Sequence, residues 1–207
     1  MCHALGKRLE GFVTALPVPE DQLAKLLTVA EYAALPQNAL RPWELQEGIL
    51  FRSPRPGYDH VDASLELAIQ IKAQLPGDLW VMQDASVDLE LAAPDEPGFV
   101  RAPDLFIVER AVRDEVRRRK RLIRAAEVLL AVEIISPGSK RMDLVVKRAE
   151  YADAGIGQYW IIDLDPPTSL TACHLTEGFG YMDGGTVTGK YEAALPVPLV
   201  VDLDRLC

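Results

Sequence analysis

Two carboxylates lie in otherwise apolar segments of this 207-residue chain. Asp104 stands within the apolar stretch 102–108, and Glu133 interrupts the apolar run 126–135. An ionised carboxylate that is buried without a partner costs several kcal/mol, so such a residue is usually paired, hydrogen-bonded or bound to a metal. Because we expect the two segments to be neighbouring strands, the pair suggests a shared divalent cation.

Carboxylate oxygens of this kind suit Mg²⁺ or Mn²⁺. A magnesium site commonly combines one or two carboxylates with phosphate oxygens and waters, and the ion stabilises charge on the phosphate and activates the attacking water. The structural alternative places Asp104 at a strand end, capping a turn, and pairs Glu133 with an arginine. These two residues alone leave both interpretations open.

A lysine follows the second carboxylate at helical spacing. Asp143 and Lys147 are four residues apart in the segment after Glu133, so both side chains share one helix face near the carboxyl end of that strand. An amine there could contact a bound phosphate, orient the attacking water or offset negative charge in the transition state. The same spacing is also typical of an ordinary salt bridge on a helix surface.

Two upstream residues complete the candidate set. Glu44 precedes a predicted strand and could add a further metal ligand. His60 begins a predicted helix and could act as a base or as a phosphate contact, because imidazole titrates near neutral pH. Each of them, taken alone, is also compatible with an ordinary surface position.

Hydrophobic periodicity predicts the elements that position these residues. Helices are predicted over 21–34, 59–75 and 140–154. The residues predicted to face the core are, in the second helix, Val61, Leu65, Ala68, Ile71 (or Ile69) and Leu75 and, in the third, Met142, Val145 or Val146, Ala149 and Ala152. Strands are predicted over 49–52, 80–91, 100–108, 126–135, 158–163, 170–175, 180–183, 187–191 and 199–201. This order indicates the α/β or α+β class, with a mixed sheet flanked by helices and a C-terminal antiparallel meander.

Composition favours an ordinary globular protein. Hydrophobic residues make up 49% of the chain and charged residues 26%, and no apolar run is long enough to span a membrane. Three widely spaced cysteines, Cys2, Cys173 and Cys207, form neither a disulfide framework nor a zinc pattern. With no secretory signal at the start, we expect a reducing, cytoplasmic location and no membrane partner.

Charge is distributed unevenly along the chain. The net charge of −9 argues against a protein that coats DNA or acidic membranes without specificity. The segment 110–124 nevertheless carries eight basic residues against two acidic ones. It could contact a polyanionic substrate, or it could be a solvated connector.

Several spacings together resemble a known family. The matching residues are Trp43-Glu44-Leu45-x-x-Gly48, His60, Pro103-Asp104, Val132-Glu133-Ile134-Ile135-Ser136-Pro137, Asp143-x-x-x-Lys147 and Tyr151-x-x-x-Gly155-x-x-x-Tyr159-Trp160-Ile161-Ile162-Asp163. This pattern resembles the bacterial Uma-two family, a domain of unknown function within the PD-(D/E)XK restriction-endonuclease-like superfamily. The stretch 133–163 is its most specific part, because many spacings must hold at once.

The resemblance implies a Mg²⁺- or Mn²⁺-dependent endonuclease that hydrolyses DNA phosphodiester bonds. Asp104, Glu133 and Glu44 would bind the metal, in a restriction-endonuclease-like domain over 41–207 that follows a helical extension over 1–40. The wider superfamily places a lysine two residues after the acidic residue, where this chain has Ile135. Lys147 is therefore the expected active lysine, with Lys140 as its competitor. An inactive module that binds nucleic acid or a protein partner is the alternative, and a homodimer is an open expectation.

Overall fold

The computed structural model describes residues 25–35, 43–52, 56–136 and 138–206. Its helices are α1 (Val29–Ala33), α2 (Tyr58–Gln74), α3 (Arg110–Arg119) and α4 (Arg148–Asp153), and a π-helical turn, Met142–Lys147, leads into α4. Its strands are β1 (Trp43–Gln46), β2 (Ile49–Arg52), β3 (Leu79–Gln83), β4 (Val87–Asp88), β5 (Val100–Arg101), β6 (Leu105–Glu109), β7 (Ile123–Arg124), β8 (Val128–Ile135), β9 (Gln158–Asp163), β10 (Ser169–Thr176), β11 (Gly180–Thr188), β12 (Lys190–Ala193) and β13 (Leu199–Asp202).

A six-stranded mixed sheet forms the centre of the fold, in the order β11-β10-β9-β8-β6-β3. Strand β8 is buried along nearly its whole length and pairs antiparallel with β6 and parallel with β9. The prediction of a central strand buried on both faces is therefore confirmed. Antiparallel pairing continues through β9, β10 and β11, which confirms the meander, and β12 and β13 form a separate antiparallel pair.

Two predicted long strands are wrong, because each divides between two sheets. The segment 80–91 becomes β3 in the central sheet and β4 in a five-stranded sheet of order β2-β1-β5-β4-β7. The segment 100–108 likewise becomes β5 and β6. Pro103 lies at the second division, where its lack of an N–H group prevents it from continuing a ladder as a donor. Asp104 consequently lies at a bend between the two sheets, immediately before β6.

The central sheet buries apolar side chains on both faces. One face packs against α2 and the β12–β13 pair, and the other packs against α4 and residues of β4 and β7. Helix α2 buries Ala63, Leu67 and Ile71, whereas Val61 and Leu65 remain 50% and 54% exposed. The predicted core face is therefore confirmed for Ala68 and Ile71, which are buried, and wrong for Val61 and Leu65, because the first turns of the helix contact the sheet through Ala63 and Leu67 instead.

The N-terminal helix is shorter than predicted. The Thr28 side chain accepts a hydrogen bond from the Glu31 backbone, and the Glu31 carboxylate accepts one from the Thr28 backbone, so this capping box starts α1 at Val29. Positions 21–24 of the predicted helix lie outside the described residues. Tyr32 packs beside Leu45 and Val100 in a small third core. The predicted domain boundary at residue 40 stays a prediction.

The basic segment is largely engaged in contacts within the protein. The guanidinium groups of Arg110 and Arg113 lie over the Trp80 ring, at 4.7 and 4.1 Å from its centre. Arg121 forms two hydrogen bonds with the Glu127 carboxylate, at 2.7 and 2.8 Å. Helix α3 starts at the opposite end of β6 from Asp104, about 20 Å away for the six residue steps between Asp104 and Arg110.

We expect Glu127→Gln to lower the free energy of unfolding by about 1 kcal/mol near pH 7, a value reduced for solvent screening of the partly exposed arginines. Burial raises the pKa of Glu127, but hydrogen bonds from Arg121 and Arg124 outweigh it and lower that pKa from 4.5 to about 2. The contribution of ionised Glu127 to the free energy of unfolding is therefore complete above pH 4.5 and is lost as the pH falls through 2. Urea unfolding at several pH values measures it. The exposed Glu192→Gln should change little, and a wild-type advantage that persists at pH 2 contradicts the prediction.

Of the three cysteines, Cys173 lies within the described residues. It is buried and forms no disulfide. No helix in the described ranges is both long and apolar enough to cross a membrane.

Candidate active site

A cavity of about 580 Å³ lies beside the carboxyl-terminal half of β8. It is lined by the five predicted site residues and by Asp143 from the π-helical turn. The cavity-lining residues that carry charge or titrate are Glu44, His60, Asp84, Asp104, Glu133, Asp143 and Lys147. Side chains from β1, α2, the bend before β6, β8 and the turn before α4 therefore meet at one place.

The two central carboxylates come from neighbouring strands. In the β6–β8 ladder Leu105 is opposite Val132, so the next position outward places Asp104 opposite Glu133 on the same face of the sheet. The backbone N–H of Ile134 donates a 2.7 Å hydrogen bond to Asp104 Oδ2. This bond anchors the Asp104 side chain to the strand that carries Glu133.

His60 reaches the same carboxylate from the first turn of α2. Its Nε2 atom lies 3.1 Å from Asp104 Oδ2. Burial lowers the pKa of His60, but the hydrogen bond with Asp104, together with the charge of that residue, outweighs it and raises the pKa above its ordinary value. The contact favours a protonated imidazole at the edge of the cavity.

Glu133 is 2% exposed and is surrounded by other acids. The Tyr151 hydroxyl donates a 2.7 Å hydrogen bond to Glu133 Oε1. Burial raises the pKa of Glu133 well above its ordinary value; nearby Lys147 opposes that rise, and Asp104 and Asp143 add to it. A cluster of acids with this mutual repulsion is stabilised by any cation that enters it.

Lys147 supplies a cation at the base of the cavity. Its Nζ atom lies 2.9 Å from Glu133 Oε1, 3.5 Å from Asp143 Oδ1 and 3.6 Å from Glu44 Oε1. Burial lowers the pKa of Lys147, but these carboxylates outweigh it and raise the pKa above its ordinary value, so the amine is protonated. Lys140 instead forms an exposed ion pair with Asp163 at 3.1 Å.

The segment that carries Lys147 turns its charged residues inward, and Asp143 and Lys147 share one face as their spacing predicted. Of the predicted core residues, Ala152 packs against the core, whereas Val145 and Ala149 do not. Asp143, Lys147 and Glu150 are buried, whereas Val145 and Ala149 are exposed. The turn from Met142 to Lys147 is π-helical rather than α-helical. A π-helical turn contains more residues than an α-helical one and therefore shifts which side chains face the sheet.

A second buried ion cluster lies behind the cavity. Arg101 is fully buried and donates hydrogen bonds to Glu150 Oε1 at 2.6 Å and to Glu44 Oε2 at 3.0 Å. The Ala102 backbone N–H donates to Glu44 Oε1 at 3.3 Å. Glu44 thus joins Arg101 to Lys147, and both of its oxygens are engaged within the protein.

Sequence reasoning assigned no role to Arg101, Glu150 or Tyr151. Arg101 carried a usable signal, since it lies between Val100 and Ala102 in the same kind of apolar stretch that identified Asp104 and Glu133. Glu150 carried none, because its contact with Arg101 joins residues 49 positions apart. Tyr151 belongs to the family pattern, but that pattern does not indicate its hydrogen bond to Glu133, which depends on the rotation of α4.

The donor set fits a magnesium ion held by two carboxylates. No group of three or more Asp, Glu, His or Cys side chains in the described part of the chain is placed to hold one metal. Asp104 Oδ1 and Glu133 Oε2, however, have no hydrogen-bond partner among those residues, and both side chains line the cavity. Mg²⁺ commonly takes only one or two carboxylates, with waters and phosphate oxygens as its other ligands.

A mixed sheet flanked by helices, with acids from adjacent strands and a lysine beside one cavity, corresponds to a nuclease-type fold. The chain belongs to the Uma2 family, described as "Putative restriction endonuclease", whose model matches residues 29–184. It is similar in structure to a protein from Anabaena variabilis ATCC 29413, described as a "putative nuclease belonging to DUF820", at 16% identity and a TM-score of 0.61. That similarity covers 87% of this chain and 97% of the other. A comparison with curated proteins gives no match.

Proposed function

We propose that this protein is a Mg²⁺-dependent endonuclease that hydrolyses DNA phosphodiester bonds, with Mn²⁺ as an alternative ion. The observation that carries the proposal is that Asp104, Glu133 and Lys147 line one cavity. Each of the two carboxylates has one oxygen without a hydrogen-bond partner among the described residues. Membership in a family described as restriction endonucleases supports the class of reaction.

Each residue has a distinct role in this proposal. Asp104 and Glu133 hold the ion, which when bound supplies charge stabilisation and an activated water. Lys147 keeps Glu133 ionised and offsets negative charge around the scissile phosphate. His60 binds a phosphate oxygen or transfers a proton at the cavity edge. Ligation by Glu44 stays a prediction, and its contacts support a role in holding Lys147.

The lysine position bears on the alternative of an inactive module. Ile135 occupies the place where the wider superfamily carries its lysine, and this is the observation that favours the alternative. The ammonium of Lys147 nevertheless lies 2.9 Å from Glu133. A lysine from the turn after β8 therefore contacts the carboxylate that a lysine at position 135 would lie beside. This contact supports an active enzyme.

Partners and location follow as further parts of the proposal. DNA is the proposed substrate, and the net charge of −9 makes the bound cation important for its approach. A homodimer would supply two active sites for cleavage of two antiparallel strands. The proposed location is the cytoplasm.

Cleavage of supercoiled plasmid DNA tests the proposal. Wild-type protein with Mg²⁺ should convert the plasmid to nicked or linear forms, and EDTA should stop the reaction. The Asp104→Asn variant, purified in the same way, should leave the plasmid intact. Equal cleavage by both proteins identifies a contaminant, and a folded wild type that binds no Mn²⁺ in calorimetry, even with DNA present, supports the inactive alternative. RNA of matching length, in place of DNA, tests the substrate class.

A further inference from the structure

The two oxygens of Glu133 have different surroundings. Oε1 accepts the Tyr151 hydroxyl at 2.7 Å and lies 2.9 Å from Lys147 Nζ. Oε2 has no hydrogen-bond partner among the residues that the structure describes. We propose that Tyr151 is a positioning residue that holds Oε1 beside Lys147 and so presents Oε2 to the divalent cation. This inference rests on the proposed function.

Tyr151 is well placed to fix an orientation. It is fully buried on α4, and its ring packs edge-on against Tyr159, with ring centres 5.2 Å apart. Its backbone carbonyl accepts a hydrogen bond from the Ile156 N–H at 3.0 Å, which ties down the end of the helix. An ionised carboxylate can only accept hydrogen bonds, so the phenol must be the donor and the contact has one direction.

Lys147 alone cannot select between the oxygens of Glu133. A carboxylate is symmetric, and an ammonium group attracts both oxygens as a point charge. Rotation about the last side-chain bond of Glu133 would exchange them. The directional bond from Tyr151 distinguishes the two, because only one oxygen can accept it from a fixed ring.

Holding Oε1 beside Lys147 keeps the divalent ion apart from the lysine ammonium. A divalent ion and the Lys147 ammonium repel each other, and the repulsion falls with distance. With Oε1 held on the lysine side, Oε2 is the oxygen that would hold the ion, farther from the ammonium. The neutral hydroxyl of Tyr151 adds no positive charge of its own, so it can orient Glu133 without competing with the ion.

Tyr151→Phe removes the hydroxyl and keeps the ring. We expect its Kd for Mn²⁺, measured by calorimetry on the DNA-free protein, to rise by about 10- to 100-fold, the usual effect of losing a partner of a metal-binding group. The Mg²⁺ concentration for half-maximal cleavage should rise by a similar factor, while the rate at saturating metal changes less. A purely structural role would lower the Tm and leave the Kd unchanged.

Tyr181→Phe is the matched control. Tyr181 is buried in the same cluster of aromatic rings, and its hydroxyl donates to the Ile156 backbone carbonyl at 2.6 Å rather than to Glu133. It therefore removes a similar buried hydrogen bond at a site away from the carboxylates. Its Kd for Mn²⁺ should match that of the wild type.

The outcomes separate this inference from the proposed function. If the wild type binds Mn²⁺ and Tyr151→Phe binds it equally well, the inference is overturned while the metal-dependent nuclease stands. If the wild type binds no Mn²⁺ and cuts no DNA, both are overturned. A crystal of the wild type with Mn²⁺ gives a test that needs no variant: coordination through Oε2 supports the inference, and coordination through Oε1 or through both oxygens overturns it.

Discussion

Replacing Asp104 with asparagine should lower the rate constant for DNA cleavage by roughly 10³-fold, even at saturating Mg²⁺. A bound cation contributes several kcal/mol to stabilisation of charge in the transition state, and each 1.36 kcal/mol changes the rate tenfold. The asparagine carbonyl can still accept the 2.7 Å hydrogen bond from Ile134, so the bend before β6 should persist. The loss therefore concerns charge rather than shape.

The measurement is a single-turnover cleavage rate over a range of Mg²⁺ concentrations. Asp62→Asn is the matched control, because Asp62 is an exposed aspartate on α2 that does not line the active-site cavity. It should retain the wild-type rate, and both variants should keep a near-wild-type Tm. A rate for Asp104→Asn within tenfold of the wild type contradicts a catalytic role for this carboxylate.

Lys147→Met should lower the free energy of unfolding by about 3–5 kcal/mol near pH 8, the usual cost of breaking a buried ion pair on one side. The methionine has nearly the same length but leaves Glu133, Asp143 and Glu44 facing one another without the ammonium. Cleavage should also be lost. Urea unfolding followed by circular dichroism measures the change in stability.

The deficit of Lys147→Met should shrink as the pH falls. Burial raises the pKa of Glu133 and the pKa of Asp143 above their ordinary values, and Lys147 lowers both, so its removal raises them further. When the folded state raises the pKa of a carboxyl group, the free energy of unfolding falls as the pH rises through that pKa. It recovers as the pH falls and the group takes up a proton. The variant should therefore approach the wild type between pH 8 and pH 5.

The exposed lysine offers a direct comparison. Lys140→Met removes an ion pair with Asp163 at the surface, where such pairs contribute less than about 1 kcal/mol. It should unfold nearly as the wild type does at both pH values and should keep its cleavage activity. Equal effects of the two substitutions, or a Lys147→Met deficit that grows at low pH, would contradict the burial argument.

Local sequence determined the chemistry-bearing residues and the central strand. An acid within an apolar run is identifiable without a structure, because burial of an unpaired charge is costly wherever the strand packs. On that basis Asp104 and Glu133 were predicted as a pair, and the apolar run around Glu133 predicted a strand buried on both faces. Strand β8 confirms the buried central strand, and Asp104 and Glu133 both line one cavity.

Only the tertiary structure decided which partners these residues meet. Apolar periodicity placed Val145 and Ala149 in the core, yet both are exposed, whereas Asp143 and Lys147 of the π-helical turn are buried. Periodicity depends only on which residues are hydrophobic. The burial of this turn's charged side chains depends on their pairing with acids from strands that are distant in sequence. The Arg101 cluster and the Tyr151 hydrogen bond have the same origin, since each joins residues that are distant in sequence and meet only when the helices pack on the sheets.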